Sequence, residues 1–166
     1  METSEHAVAE LAKKLATRLL MKHIRLATAE SCTGGWIAKV LTDIAGSSEW
    51  FESAIVSYSN AAKKHFLKVP EGVLLDHGAV SDRTVIAMIQ GIFLETPADA
   101  GISVSGIAGP GGGSEQKPVG TVWLAVGLRD QMVHTRHYQF QGDRNAVRLQ
   151  TVEAALKNLL ELLESG

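Results

Sequence analysis

The chain has 166 residues, 45% of them hydrophobic, a length and composition suited to one domain, residues 1–166, with a substantial buried core. Lys and Arg number 16 and Asp and Glu 18, for a formal net charge of -2, which gives no general attraction to nucleic acid or to an acidic membrane surface. Cys32 is the one cysteine, which excludes an internal disulfide and a cysteine-built zinc site.

The first residues, Met1-Glu2-Thr3-Ser4-Glu5, are acidic and polar, unlike a secretory leader. No apolar run approaches the length of a membrane span, so a soluble cytoplasmic protein is expected. Residues 5–22 predict an amphipathic helix with Val8, Leu11, Leu15 and Leu19 on one face. Residues 24–27 predict a short strand. Ile37, Val40, Leu41 and Ile44 then recur at helical spacing, which predicts a helix over about 34–44, closed by Gly46-Ser47-Ser48. A second strand is expected over Phe51–Tyr58. Ser59-Asn60 offers a cap for a helix from Ala61 to Lys68, ended by Val69-Pro70. Residues 71–80 read as a connection with one helical turn at 71–75. Ser81 can cap a helix carrying Val85, Ile86, Ile89 and Phe93, which Thr96-Pro97 terminates.

Ala100–Ser105 predicts a third strand. Gly106–Gly113, with the sequence Gly-Ile-Ala-Gly-Pro-Gly-Gly-Gly, must be a loop. Val119–Gly127 and Met132–Phe140 predict two more strands, the second polar enough for a sheet edge. The short Arg129-Asp130 turn between them implies an antiparallel hairpin. A last helix follows Gly142-Asp143, with Val152, Leu156, Leu159, Leu160 and Leu163 in a stripe. Helical segments separate the first three strands, as parallel strands require. The expected fold is α/β: a three-layer α/β/α sandwich around a mixed, mostly parallel sheet of about five strands.

In such a sheet, ligands gather at the carboxyl ends of the strands. Three loops leave that edge: Ala29–Gly35, Tyr58–Lys63 and Gly106–Lys117. In the first, Ser31 or Cys32 could be a nucleophile, the helix start behind it offers N–H groups to developing negative charge, and Gly34 and Gly35 allow close approach. The plain alternative is that Ser31 or Thr33 only caps the helix. In the second, Lys63 lies in the first turn of its helix. The dipole and partial burial there favour a neutral amine, which can take a proton from a hydroxyl. Tyr58 could donate a hydrogen bond or relay a proton; the alternative is a surface lysine and a tyrosine packed at the sheet edge. The third loop matches neither common nucleotide-binding glycine motif, yet its N–H groups could hold a phosphate, with Arg144 as a further contact; the alternatives are a flexible crossover and, at Asp143-Arg144, a helix cap with an ion pair. His134 and His137 are three apart on a strand and face opposite ways, so they are no metal pair.

Taken together, Ala29-Glu30-Ser31-Cys32-Thr33-Gly34-Gly35, Gly46-Ser47-Ser48, Tyr58-Ser59-Asn60 with Lys63, Gly78-Ala79-Val80-Ser81, Ser105 to Gly112, Lys117 to Val122 and Gly142-Asp143-Arg144 resemble the CinA C-terminal domain family. The resemblance runs from about residue 5 to 163. It implies deamidation of nicotinamide mononucleotide to nicotinate mononucleotide and ammonia, without a metal or other cofactor. It implies Ser31 as nucleophile, Lys63 as general base and Tyr58 as an assisting hydroxyl. Lys64 lies one place beyond the motif position and has no role in it. The substrate-binding residues expected on this reading are Thr33, Gly34, Gly35, Asn60, Gly106, Gly109, Gly111, Gly112 and Arg144, with N–H groups near Thr33–Gly35 or in the glycine loop receiving the oxyanion. The expected partner is a small-molecule nucleotide, with no nucleic acid and no membrane; a homo-oligomer is left open. The rival reading is a catalytically silent nucleotide- or partner-binding paralogue of the same fold.

Overall fold

The computed structural model describes residues 2–166. In chain order its elements are α1 (Glu5–Lys22), β1 (Leu26–Glu30), α2 (Trp36–Thr42), β2 (Phe51–Val56), α3 (Asn60–Leu67), α4 (Glu71–His77), α5 (Asp82–Glu95), β3 (Ala100–Gly106), β4 (Thr121–Leu128), β5 (His134–Gln139) and α6 (Arg144–Glu164). One five-stranded sheet has the order β2-β1-β3-β4-β5. β1 runs parallel to both β2 and β3, whereas β3, β4 and β5 pair antiparallel. The mixed sheet and the polar edge strand at 134–139 agree with the sequence reading.

The pleat of β1 divides the core. Leu26 packs with α1, α2 and α6 on one face, and Ala27 and Ala29 pack with α3, α4 and α5 on the other. This is the three-layer sandwich. Ser4, Ser59, Ser81 and Asp143 each accept a hydrogen bond from the main-chain N–H three residues on, and so cap α1, α3, α5 and α6. Gly91 is where α5 crosses the end of α3: a Cβ there would run into the Leu67 carbonyl.

Several boundaries differ from expectation by a few residues, and three of the differences have a clear physical reason. The first strand extends to Glu30 rather than ending at Ala27, because Thr28 and Glu30 satisfy one another inside the sheet, with Thr28 Oγ1 donating to Glu30 Oε2 at 3.1 Å. The second helix begins at Trp36, not Gly34, because Gly34 and Gly35 sit at φ 58° and 100° and hold the turn before it. The expected single turn at 71–75 is a full helix, α4, anchored by buried Leu74.

Candidate active site

The register brings three loops together. Glu30 pairs with Val56 on one side and Val104 on the other, so the chains leaving β1, β2 and β3 emerge side by side. Ser31 N donates to Val104 O at 3.2 Å, and Ser57 N donates to Glu30 O at 3.0 Å, which ties the strand ends together.

Lys63, in the first turn of α3, reaches back across these ends. It is only 1% exposed, and its Nζ has three neighbours: Ser31 Oγ at 3.0 Å, Ser57 O at 3.1 Å and Tyr58 O at 3.0 Å. Burial lowers its pKa from the ordinary lysine value. A neutral amine has two N–H donors and one lone pair. In that form the two carbonyls, which can only accept, take both N–H groups and leave the lone pair to the serine O–H. That is the arrangement a general base needs.

Tyr58 behaves differently. It meets Lys63 through its main-chain oxygen, while its side chain is 62% exposed and its hydroxyl accepts from Arg144 Nη2 at 3.1 Å. Lys64, by contrast, points away to Glu71 at 2.9 Å on the surface. Cys32 is buried, and burial pushes its thiol up to about 12, so it is a thiol rather than a thiolate near neutral pH and a poor rival to Ser31.

The helix start behind Ser31 is not open, contrary to expectation. Glu30, fully buried, turns its carboxylate onto it: Oε1 accepts from Thr33 Oγ1 at 2.7 Å, Gly35 N at 3.2 Å and Ile37 N at 2.9 Å, and Oε2 accepts from Ala38 N at 3.0 Å. Neither Ser31 nor Thr33 caps α2; Glu30 does, from the strand before. Sequence reading passed over Glu30. The available signal was a carboxylate closing an apolar strand, since a buried carboxylate must find donors nearby.

The remaining expected contacts are spread around a cavity of about 660 Å³ between the glycine loop and the start of α6, lined by Ala108, Pro110, Val119, Arg144 and Arg148 among others. Arg144 Nη1 donates to Gly109 O at 2.6 Å, so Arg144 bridges the glycine loop and Tyr58. Gly106 lies at the end of β3, while Gly111 and Gly112 are exposed along the loop and Asn60 is exposed at the start of α3. Thr33 is fully buried with its hydroxyl on Glu30. Ser31, Lys63 and Tyr58 do not line this cavity; it adjoins them through Arg144 and through Arg148, which donates from Nε to Cys32 O at 3.0 Å and from Nη2 to Thr33 O at 3.1 Å. Arg148 is a second residue the sequence reading missed. Among the described residues, no group of three or more His, Cys, Asp or Glu side chains is placed to hold a metal ion, and no helix is long and apolar enough to cross a membrane.

Comparison with known proteins bears on this site. The family model for the CinA C-terminal domain matches residues 8–163. The chain is 50% identical over 150 residues to the nicotinamide-nucleotide amidohydrolase PncC of Escherichia coli, covering 90% of this chain and 91% of that protein. It is also 50% identical over 157 residues to the enzyme of the same name from Enterobacter agglomerans, covering 95% and 96%. The crystal structure of the competence/damage inducible protein CihA from Agrobacterium tumefaciens superposes with a TM-score of 0.91 at 42% identity, covering 93% of this chain and 94% of that one.

Proposed function

As this chain belongs to the CinA C-terminal domain family, we propose that it is a nicotinamide-nucleotide amidohydrolase, converting nicotinamide mononucleotide to nicotinate mononucleotide and ammonia. The observation that carries the mechanism is Lys63 Nζ, 3.0 Å from Ser31 Oγ with its N–H groups engaged by two carbonyls.

Ser31 Oγ attacks the carboxamide carbon as Lys63 takes its proton. A C–O bond forms and the carbonyl π pair moves onto oxygen. When that pair returns, the C–N bond breaks and Lys63 gives the proton to the departing nitrogen, which leaves as ammonia. Lys63, neutral again, deprotonates a water that attacks the acyl-enzyme; the proton returns to Ser31 as nicotinate mononucleotide leaves. The 5'-phosphate has a natural position in the cavity beside Arg144 and the N–H groups of the glycine loop. Tyr58, exposed and bonded to Arg144, acts on this reading at the substrate-binding rim rather than on the proton. A cytoplasmic location follows from the substrate class, and a homo-oligomer is compatible with the exposed apolar side chains Val56, Tyr58 and Phe66 near the site.

Ammonia release on incubation with nicotinamide mononucleotide tests the proposal. Turnover that vanishes in Ser31→Ala supports it. A folded wild-type protein that binds the nucleotide and releases no ammonia makes this a silent, nucleotide-binding member of the family.

A further inference from the structure

We propose that the main-chain N–H of Thr33 is the donor that receives the oxyanion in the tetrahedral intermediate, and that Arg148 is the residue positioning it; this rests on the amidase reading above. The N–H groups around the nucleophile can be followed one by one. Ser31 N donates to Val104 O, Gly34 N to Ser31 O and Trp36 N to Thr33 O. Gly35, Ile37 and Ala38 donate to Glu30. The Cys32 N–H, like that of Thr33, donates to no acceptor among the described residues. This leaves two N–H groups of the loop unengaged, and the one that the Arg148 contacts orient is that of Thr33, two residues after the nucleophile.

Its direction follows from which side of the sheet holds which group. Ser31 continues the alternation of Ala27 and Ala29, which face α5, and it meets Lys63 on that side. Arg148 comes from α6, on the opposite side, and draws the Cys32 carbonyl towards itself. In a trans peptide the N–H points opposite to the carbonyl. The Thr33 N–H belongs to the peptide of that Cys32 carbonyl, so it points back to the side that carries Ser31 Oγ. Arg148 holds two successive carbonyls with one planar guanidinium, which also stacks on Trp36 at 5.3 Å. A cation on the carbonyl polarises the peptide and makes the N–H at its other end a better donor. Glu30 fixes the loop from the other side by holding Thr33 Oγ1 and Gly35 N.

The experiment compares kcat and KM for nicotinamide mononucleotide in wild type, Arg148→Ala, Arg148→Lys and a protein with the amide at Thr33 replaced by an ester, which swaps the N–H for an oxygen. The ester is expected to lower kcat roughly 10²- to 10³-fold, the loss typical of one oxyanion donor, with KM nearly unchanged. Arg148→Ala should do likewise, should add little to the ester when the two are combined, and should recover activity with millimolar guanidinium ion. Arg148→Lys should fall between. The acid limb of kcat/KM should stay in place throughout, because Lys63 is untouched. If Arg148→Ala does not fold, the ester protein, with Arg148 intact, decides. A folded Arg148→Ala with wild-type kcat, a loss confined to KM, or an ester protein of normal activity each overturns the proposal while leaving the amidase reading standing. A wild type that releases no ammonia overturns both.

Discussion

Lys63 Nζ lies 3.0 Å from Ser31 Oγ, the serine in the loop after β1 and the lysine in the first turn of α3. Among the described residues, Lys63 is the one side chain hydrogen-bonded to that hydroxyl, and the acidic side chain next to it in sequence, Glu30, is turned away onto the start of α2. The partners of Lys63 Nζ are thus the serine hydroxyl and two main-chain carbonyls, with no carboxylate among them.

Lys63→Arg should fold and lose nearly as much activity as Lys63→Ala, since a guanidinium cannot supply a neutral base. In the wild type, kcat/KM should fall on the acid side as Lys63 takes up its proton, at a pH below the ordinary lysine value because burial lowers its pKa. A pH profile for wild type and Lys63→Arg reads both effects. Lys64→Ala, which loses only a surface ion pair with Glu71, should remain active.

The same shift has a stability consequence. The folded pKa of Lys63 is depressed, so between that value and the unfolded value the unfolded chain binds the extra proton. Stability therefore rises with pH through that window, and below it the burial penalty is fully present. Relative to Lys63→Met, which cannot titrate, the wild type should gain stability as the pH rises towards the ordinary lysine value of about 10. Urea unfolding at several pH values, comparing the two proteins, measures the difference; a constant gap would contradict the lowered pKa.

Cys32→Ala should keep its turnover to within a few-fold and lose about 1 kcal/mol of stability for the buried sulfur. Native protein should resist iodoacetamide at pH 8, because the thiol is buried and pushed up to about 12. Ser31→Ala should be inactive. Retained activity in Ser31→Ala with loss in Cys32→Ala would reverse the assignment.

Glu30→Gln should destabilise the fold by about 2 to 4 kcal/mol, since the amide nitrogen must face donors where an oxygen now accepts. Its midpoint in urea should fall well below that of Thr28→Val, which removes one of the carboxylate's five contacts.

Gly91→Ala should cost about 1 to 3 kcal/mol, because the new methyl group runs into the Leu67 carbonyl and pushes α5 off α3. As α3 carries Lys63, the variant should also show reduced kcat. Unchanged stability would mean that the two helices separate freely there.

The order of elements, the mixed sheet and its polar edge were legible because each leaves a local trace. Capping serines stand before α3 and α5, apolar stripes mark α1 and α6, and a two-residue turn joins the last strands. That Ser31 and Lys63 would meet was also legible, from two segments leaving one sheet edge. Glu30 and Arg148 were not. An acidic residue and an arginine have many roles in a sequence, and what distinguishes these two is the set of main-chain atoms they reach.

The sequence by itself determined the three-layer fold and the residue types at the nucleophile loop, since periodicity, caps and glycines act over a few residues. Tertiary structure alone decided which groups of that loop remain free. Register set Ser31 beside Lys63, Glu30 closed the helix start that looked open, and Arg148 arrived from a helix more than a hundred positions away to hold the carbonyls of Cys32 and Thr33. Hydrogen-bond donors are finite and buried ones must be matched. Only the packed chain shows which N–H is already engaged and which is left for a substrate.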